Sequence, residues 1–600
     1  MNKIAWISLA AMAMLQAKAQ SGAELFEHNC AGCHKAGSAT HAPAPEALRH
    51  MSRTKIFDAL TTGKMILVAG SLPVMQRMAI AAYLGSQEPE GVSGGPCQSA
   101  PAPLKDLRGW QGWSVDPENS RMQNASGLDG PHVSKLKLKW AFGFPGATSA
   151  LGQPSVTDGR LFVGSAGGTV YSLDAHTGCT YWTFKAAQTV RTAISVAAYG
   201  ADGRHALYFG DAQSTAYALD ADTGALLWKT RVEEHPFSHI TGSPTLYEGR
   251  LYVPVSTGAE EFVAAGDPKY KCCTARGSLV ALDARNGERI WKTYTIPEPK
   301  PTRVNSAGTQ LMGPSGVSIW SAPTLDVKHK VLYVGTGNEH SEPQTTASDA
   351  VLAFDMETGK ILWTRQLTVA DRWNVSCVLP GQVNCPEKPG EDTDIGASPI
   401  LVSLANGKRL LLVGQKSGVM WALDPDAKGS VVWQKRIGKG GVLGGIMWGP
   451  AADAEKVYVP LSDFTMLGPI EGGDPNIGGG LFALRIATGE KAWYAPPEKP
   501  KCAGTVGCTP AQMAPATLIP GVVFSGSMDG HLRAYNTSDG ATIWDFDTLR
   551  EFPTVNGVKA RGGSMSASGA VAAGGMLFVN SGYGALGGMP GNVLLAFAAE

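Results

Sequence analysis

Apolar and polar positions alternate along most of this chain in short runs closed by turn residues. One unit recurs: an alternating strand, an acidic or polar turn usually ending in Gly, then a strand carrying a Trp. Its seven copies run Val170 to Trp182, Ala216 to Trp228, Leu279 to Trp291, Val351 to Trp363, Met420 to Trp433, Leu481 to Trp493 and Leu532 to Trp544, and six of them keep the Trp at one offset. Gly tolerates the positive φ of a tight turn, and the Trp gives each unit an apolar plate to lay on its neighbour. Two halves of the same unit stand apart. Val593 to Phe597 is a first strand without its Trp strand, and Leu136 to Phe142, around Trp140, is a Trp strand without its partner. Pairing them closes a ring and removes the open sheet edges. The pattern predicts an all-β eight-bladed propeller over 106–600.

The N-terminal part reads differently. Lys3 precedes an apolar stretch from Ile4 to Leu15, and Ala17-Lys18-Ala19 follows as a small-residue cleavage site, the form of an export signal over 1–19. Its roughly 12 apolar residues fall short of the ~20 needed to span a bilayer. No other run is long enough, so no integral membrane segment is expected after cleavage, and the periplasm is the expected compartment. Next, Cys30-Ala31-Gly32-Cys33-His34 is the C-x-x-C-H pattern of covalent haem c attachment, with His34 an axial ligand. A zinc half-site would need a second ligand pair, and only His41 and His50 follow closely. Met51, Met65, Met75 and Met78 are in range for the second axial position. The stretch from Leu60 to Met65 and the helical run from Pro73 to Leu84 resemble the Gly-x-Met loop and closing helix of class I cytochromes c. That resemblance selects Met65, with Met75 and Met78 in the helix core. A small α-helical cytochrome c domain is thus expected over 20–86, and a Pro, Gly and Ser-rich linker over 87–105.

Composition narrows the partners. The 51 basic and 51 acidic residues of this 600-residue chain cancel, so nothing argues for nucleic acid or an anionic surface. Two of the ten cysteines belong to the haem motif. The other eight allow three local bridges, Cys272–Cys273, Cys377–Cys385 and Cys502–Cys508, and leave Cys97 with Cys179; spacing alone does not fix the pairing.

From Trp110 onward the Trp repeats resemble those of the quinohaemoprotein alcohol dehydrogenases, a pyrroloquinoline quinone (PQQ) dependent propeller family. The same blade occurs in outer-membrane assembly lipoproteins that only bind partners, so catalysis must be argued from a site. Spacings between the blade Trp residues swell from about 42 to about 72 in mid-chain, marking inserted loops. Three family matches lie there. Ser256-Thr257-Gly258-Ala259-Glu260 resembles the segment whose Glu ligates the metal. Gly335-Thr336-Gly337-Asn338 resembles the segment whose Asn is another ligand. Asp392-Thr393-Asp394 stands where the family has its catalytic Asp, with Glu391 in place of the usual Trp before it. These oxygen donors suit calcium or a lanthanide. The resemblance leaves open which of Asp392 and Asp394 is the base.

The same resemblance assigns quinone contacts. Trp320, 18 residues before Asn338, matches the stacking Trp, Lys416 the residue bonding the quinone oxygens, and Arg191 a partner of a cofactor carboxylate, with Thr241 and Thr257 as hydroxyl donors. For Lys416 and Arg191 a solvated loop charge is the competing reading. Cys272-Cys273 invites comparison with the family's adjacent-cysteine ring, but it stands downstream of Glu260 and not upstream of Arg191. The implied activity is oxidation of an alcohol, polymeric or small, with electrons passing through the fused haem to an external acceptor such as another cytochrome c. The order of the cytochrome and propeller segments, with Cys-Cys-Thr-Ala-Arg-Gly and Gly-Ala-Ser-Pro, is most similar to the branch acting on polyvinyl alcohol. A haem-bearing propeller that only binds partners is the alternative of a different class.

Overall fold

The computed structural model describes residues 21–600 except 36–41, 50, 52, 62–64, 70–71, 73, 86–94, 201–202, 379–380, 465, 469–471, 475 and 503. The expected export signal, Gly63, and most of the first half of the linker lie outside the described residues.

Among the described residues five helices precede the sheets: α1 (Gly22–Asn29), α2 (Pro45–Leu48), α3 (Arg53–Thr61), α4 (Ile66–Ala69) and α5 (Val74–Leu84). Ser21 caps α1 in a reciprocal box with Glu24, satisfying two end donors. Leu25, Phe26, Leu48, Ile56, Leu60, Ile80 and Leu84 form one small core, which Met51 and Met65 both border. Met78 does not join it; it is exposed on the outer side of α5.

Eight antiparallel blades follow, at 155–185, 195–231, 245–294, 324–366, 400–436, 451–495 and 517–547, with an eighth built from both ends of the propeller chain. In that eighth blade Leu136–Gly143 pairs with Val593–Ala599, as the half-repeats predict. Gly109–Trp110 widens the first blade. Every repeat Trp except Trp363 ties its blade to the next through its indole N–H: that of Trp182 donates to Ala221 O, that of Trp228 to Ala284 O, and that of Trp544 to Leu136 O across the seam. The plate also lies on the turn glycine of the next blade. A Cβ on Gly224, at φ +72°, would come within 2.6 Å of the Trp182 ring, so only glycine fits there. The copy with the shifted Trp carries a 3₁₀ turn, Pro425–Ala427, before Ser430–Arg436.

All four cysteine pairs drawn from spacing are disulfides: Cys97–Cys179, Cys272–Cys273, Cys377–Cys385 and Cys502–Cys508. The first pins the linker to the outer strand of the first blade. Two helices interrupt the sheets, α6 (Gly130–Val133) and α7 (Ala259–Gly266), and α4 packs against α7. Among the described residues no helix is long and apolar enough to cross a membrane.

Candidate active site

An antiparallel blade brings the start of its first strand and the end of its second to the same rim. Arg191, Trp320, Asp394 and Trp448 each stand just before a first strand, while Thr257, Asn338 and Lys416 each follow a second strand. The propeller therefore delivers residues far apart in sequence to one end of the ring.

Lys416 is the hub. Its side chain is buried, and its ammonium donates to Asp392 Oδ1 at 2.6 Å and to Asp394 Oδ2 at 3.2 Å. Burial works against its charge, yet the two carboxylates outweigh burial and hold the proton more tightly than on an ordinary lysine. Burial in turn raises the Asp392 carboxyl well above its ordinary value, with Lys416 opposing and Asp394 adding to the rise. Asp394 Oδ1 accepts the Asn338 backbone N–H at 2.7 Å. Both amide hydrogens of Asn338 are spent, on Trp373 O at 2.6 Å and Glu339 O at 3.1 Å, which leaves its Oδ1 as a lone acceptor. Trp320 flanks this group. Its ring lies on Gly396, where a Cβ would come within 1.9 Å, and meets Trp448 edge-on at 5.0 Å. Arg191 sits over the opposite ring of that pair, 4.9 Å from the Trp448 centroid, with no carboxylate in ion-pair reach among the described residues. Thr257 Oγ1 shares a 2.6 Å hydrogen bond with Ser318, two residues before Trp320, and Thr241 precedes Gly242, which packs on Ser321 O.

Glu260 is placed elsewhere. Its Oε1 accepts Tyr270 O–H and Thr274 N–H, both at 2.7 Å, and its Oε2 accepts Ala275 N–H at 2.8 Å. It clasps the loop after Cys272–Cys273. The adjacent Glu261, one step round α7, faces the aspartates instead: its Oε1 lies 3.3 Å from His340 Nε2, and burial, then Asp392 and Asp394, raise its carboxyl well above the ordinary value. His340 is pushed down to about 4 by burial, so it is a neutral acceptor or donor at neutral pH. Asp371 and Asp349 complete the acidic surroundings; both Asp349 oxygens are buried without a hydrogen-bond partner, and burial first, then Asp371, Asp394 and Asp392, raise its carboxyl well above the ordinary value. Glu261, Asp349, Asp371 and Trp448 carry no local sequence signal.

The donor types suit a hard cation beside a flat anionic ring, although among the described residues no three His, Cys, Asp or Glu side chains are gathered closely enough to hold one as they stand. Asn338 Oδ1 and the carboxylates of Asp392, Asp394 and Glu261 are oxygen donors, the indole of Trp320 offers a face, and Arg191 offers an unpaired charge for a carboxylate. In the helical segment, Cys30 and Cys33 stand outside the four disulfides, and His34 Nδ1 is 2.8 Å from Pro43 O. That contact orients the imidazole and leaves Nε2 for iron, as a c-type haem requires.

Comparison with known proteins agrees with this reading. The model described as glucose/ethanol/alcohol dehydrogenase, beta-propeller domain, matches residues 110–383, and that described as cytochrome C oxidase, cbb3-type, subunit III, matches 17–84. A polyvinylalcohol dehydrogenase of Pseudomonas sp is 41% identical over 100% of this chain and 96% of its own. That of Sphingopyxis sp. (strain 113P3) is 41% identical over 96% and 93%. The chain belongs to the polyvinylalcohol dehydrogenase family. In this chain the match to the alcohol dehydrogenase propeller and the match to the cytochrome c model lie on one polypeptide. The crystal structure of quinohemoprotein alcohol dehydrogenase from Comamonas testosteroni has the same propeller fold, with a TM-score of 0.58 at 19% identity, covering 82% of this chain and 80% of that one.

Proposed function

We propose that this chain oxidises the secondary hydroxyl groups of polyvinyl alcohol, or of a closely similar polymer, to ketones in the periplasm. The observation that carries the reading is the Lys416 ammonium clamped by Asp392 and Asp394 beside Asn338 and the Trp320 face. The two relatives named for that substrate, matched over nearly their whole length, support the choice of alcohol. In this reading 1–19 is the cleaved export signal, 20–86 the cytochrome, 87–105 the linker and 106–600 the catalytic propeller.

Bound PQQ supplies the two-electron acceptor, a hard cation (calcium or a lanthanide) its activation, and haem c a one-electron relay to an external acceptor. The chain's own part is orientation and proton handling. Asp392 is tied to Lys416 through Oδ1 alone. Its second oxygen would accept the substrate hydroxyl proton, while the quinone, when bound, would supply the acceptor for the hydrogen and electron pair of the carbinol C–H bond. Asp394 and Asn338 Oδ1 would hold the cation, with Glu261 in the place that family resemblance gives to Glu260. Lys416, which bridges the two aspartates, would donate to the quinone oxygens; Trp320 would offer its ring face, and Arg191, Thr241 and Thr257 would hold the cofactor carboxylates. His34 and Met65 would hold the haem iron.

The test is alcohol-dependent haem reduction by full-length protein reconstituted with PQQ and calcium or a lanthanide, with polyvinyl alcohol, a small secondary alcohol and ethanol compared. Reduction that requires quinone, and that ranks the polymer first, is the expected result. Quinone-dependent reduction by small alcohols but not the polymer would move the substrate to those alcohols, and no quinone binding with any cation would end the enzymatic reading.

A further inference from the structure

We infer that Asp371 is the positioning residue that sets the catalytic Asp392–Asp394 segment against the cation and the quinone. The inference rests on the function proposed above. Residues 390–394 have no regular secondary structure, and Asp392 sits at φ +59°, a region that ordinary residues adopt at a cost. Something outside the segment must therefore hold it. Asp371, itself buried, does so with both oxygens: Oδ1 accepts Asp392 N–H at 3.1 Å, and Oδ2 accepts Thr393 N–H at 2.5 Å and Thr393 Oγ1–H at 2.7 Å. The approach is close enough that a Cβ on Gly390 would come within 2.0 Å of Asp371 Oδ1.

The same short segment holds the other half of the site. Trp373 O takes an amide hydrogen of Asn338, and Trp373 N–H donates to Glu339 O at 2.8 Å. Asp371 O accepts Glu339 N–H at 3.3 Å. Asp371 thus aligns the Asp392 carboxylate with the Asn338 oxygen through one short run, 371–373, that bonds to both. It has no cationic partner in ion-pair reach among the described residues, so its charge is satisfied by the donors of the segment it positions. It stays out of contact with substrate; its effect passes through Asp392.

The experiment compares Asp371→Asn and Thr393→Val with the native full-length protein, each loaded with PQQ and europium(III). Replacing the carboxylate puts an amide N–H against a backbone donor. Losing two to three charge-assisted hydrogen bonds predicts a kcat about 10- to 100-fold lower for Asp371→Asn. Losing the hydroxyl bond alone predicts about 3- to 10-fold for Thr393→Val. KM and quinone affinity should stay within about twofold, as for an effect confined to the transition state. Independently of turnover, the europium luminescence lifetime should shorten in both variants as water replaces a displaced carboxylate. Native-like kcat per bound quinone together with a native-like lifetime in Thr393→Val would overturn the assignment, whether or not Asp371→Asn folds. An absence of alcohol oxidation by the native protein would instead defeat the proposed function, and the luminescence comparison would still decide the role of Asp371.

Discussion

Glu260 and Glu261 are neighbours on α7 with opposite employments, and exchanging each for glutamine separates them. The aspartates, Glu261 and Lys416 carry a net charge of −2 when all are ionised, which one divalent or trivalent cation answers. Two unit charges about 4 Å apart at an effective dielectric near 20 interact by about 4 kcal/mol. Glutamine keeps an oxygen donor, so roughly half of that should be lost. Glu261→Gln should therefore weaken cation binding by about 30-fold, read by europium luminescence titration of the quinone-loaded protein. Glu260→Gln removes one charged acceptor from the Tyr270, Thr274 and Ala275 clasp. It should leave cation affinity within about threefold and lower the melting temperature, since a buried charged hydrogen bond contributes about 1.5–3 kcal/mol. Wild-type affinity in Glu261→Gln, with the loss appearing in Glu260→Gln, would refute the reasoning and return the ligand role to Glu260.

Three further outcomes follow from the geometry. Glu261, Asp392 and Asp349 are held above the carboxylate range by burial and by one another, so the cation-free fold binds more protons than the unfolded chain. Its stability should fall as pH rises from about 4.5 through those raised values, and the gain in melting temperature on adding calcium should grow over the same range; thermal scans from about pH 5 to 8 with and without calcium check both slopes. Trp320→Ala should weaken PQQ binding by about 100-fold while leaving the haem spectrum unchanged, by quinone titration. Cys179→Ser opens a loop of 82 residues and should cost at most about 4.5 kcal/mol, seen as earlier proteolysis at the linker and not as lost cation binding.

The ring was legible because its signal is redundant. Trp at one offset, Gly at the turn, and two complementary half-units agree with one another, and even the displaced Trp433 shows in the sequence as one extra residue before becoming the turn Pro425–Ala427. Lys416, Asn338, Asp392 and Asp394 were reachable through short motifs at loop positions. Asp371 was not: it lies 21 residues before Asp392 and meets it only because two loops share a rim. That Glu260 closes on the loop after Cys272–Cys273 while Glu261 lies toward the aspartates was equally hidden. Successive helical residues point about 100° apart, and the direction α7 presents is decided by how it packs, not by which glutamate comes first. Met78 shows the same limit, since helical spacing places it on a face but cannot say whether that face meets another surface. Pro43 carries no motif; its carbonyl matters only because the fold carries it to His34.

The seam of the eighth blade has a kinetic side. Lys137 reaches Glu600 across 463 positions of chain, the longest separation in the hydrogen-bond network beside it. Contacts that distant repay their loop-closure entropy only after the intervening blades have formed, so the seam should be the slowest part of the ring to assemble. Until it closes, Leu136–Gly143 and Val593–Ala599, the two strands whose pairing completes the eighth blade, present unpaired strand edges, the state most open to aggregation or proteolysis. Trp544, whose indole reaches Leu136 at that joint, is then a natural fluorescence reporter of completion.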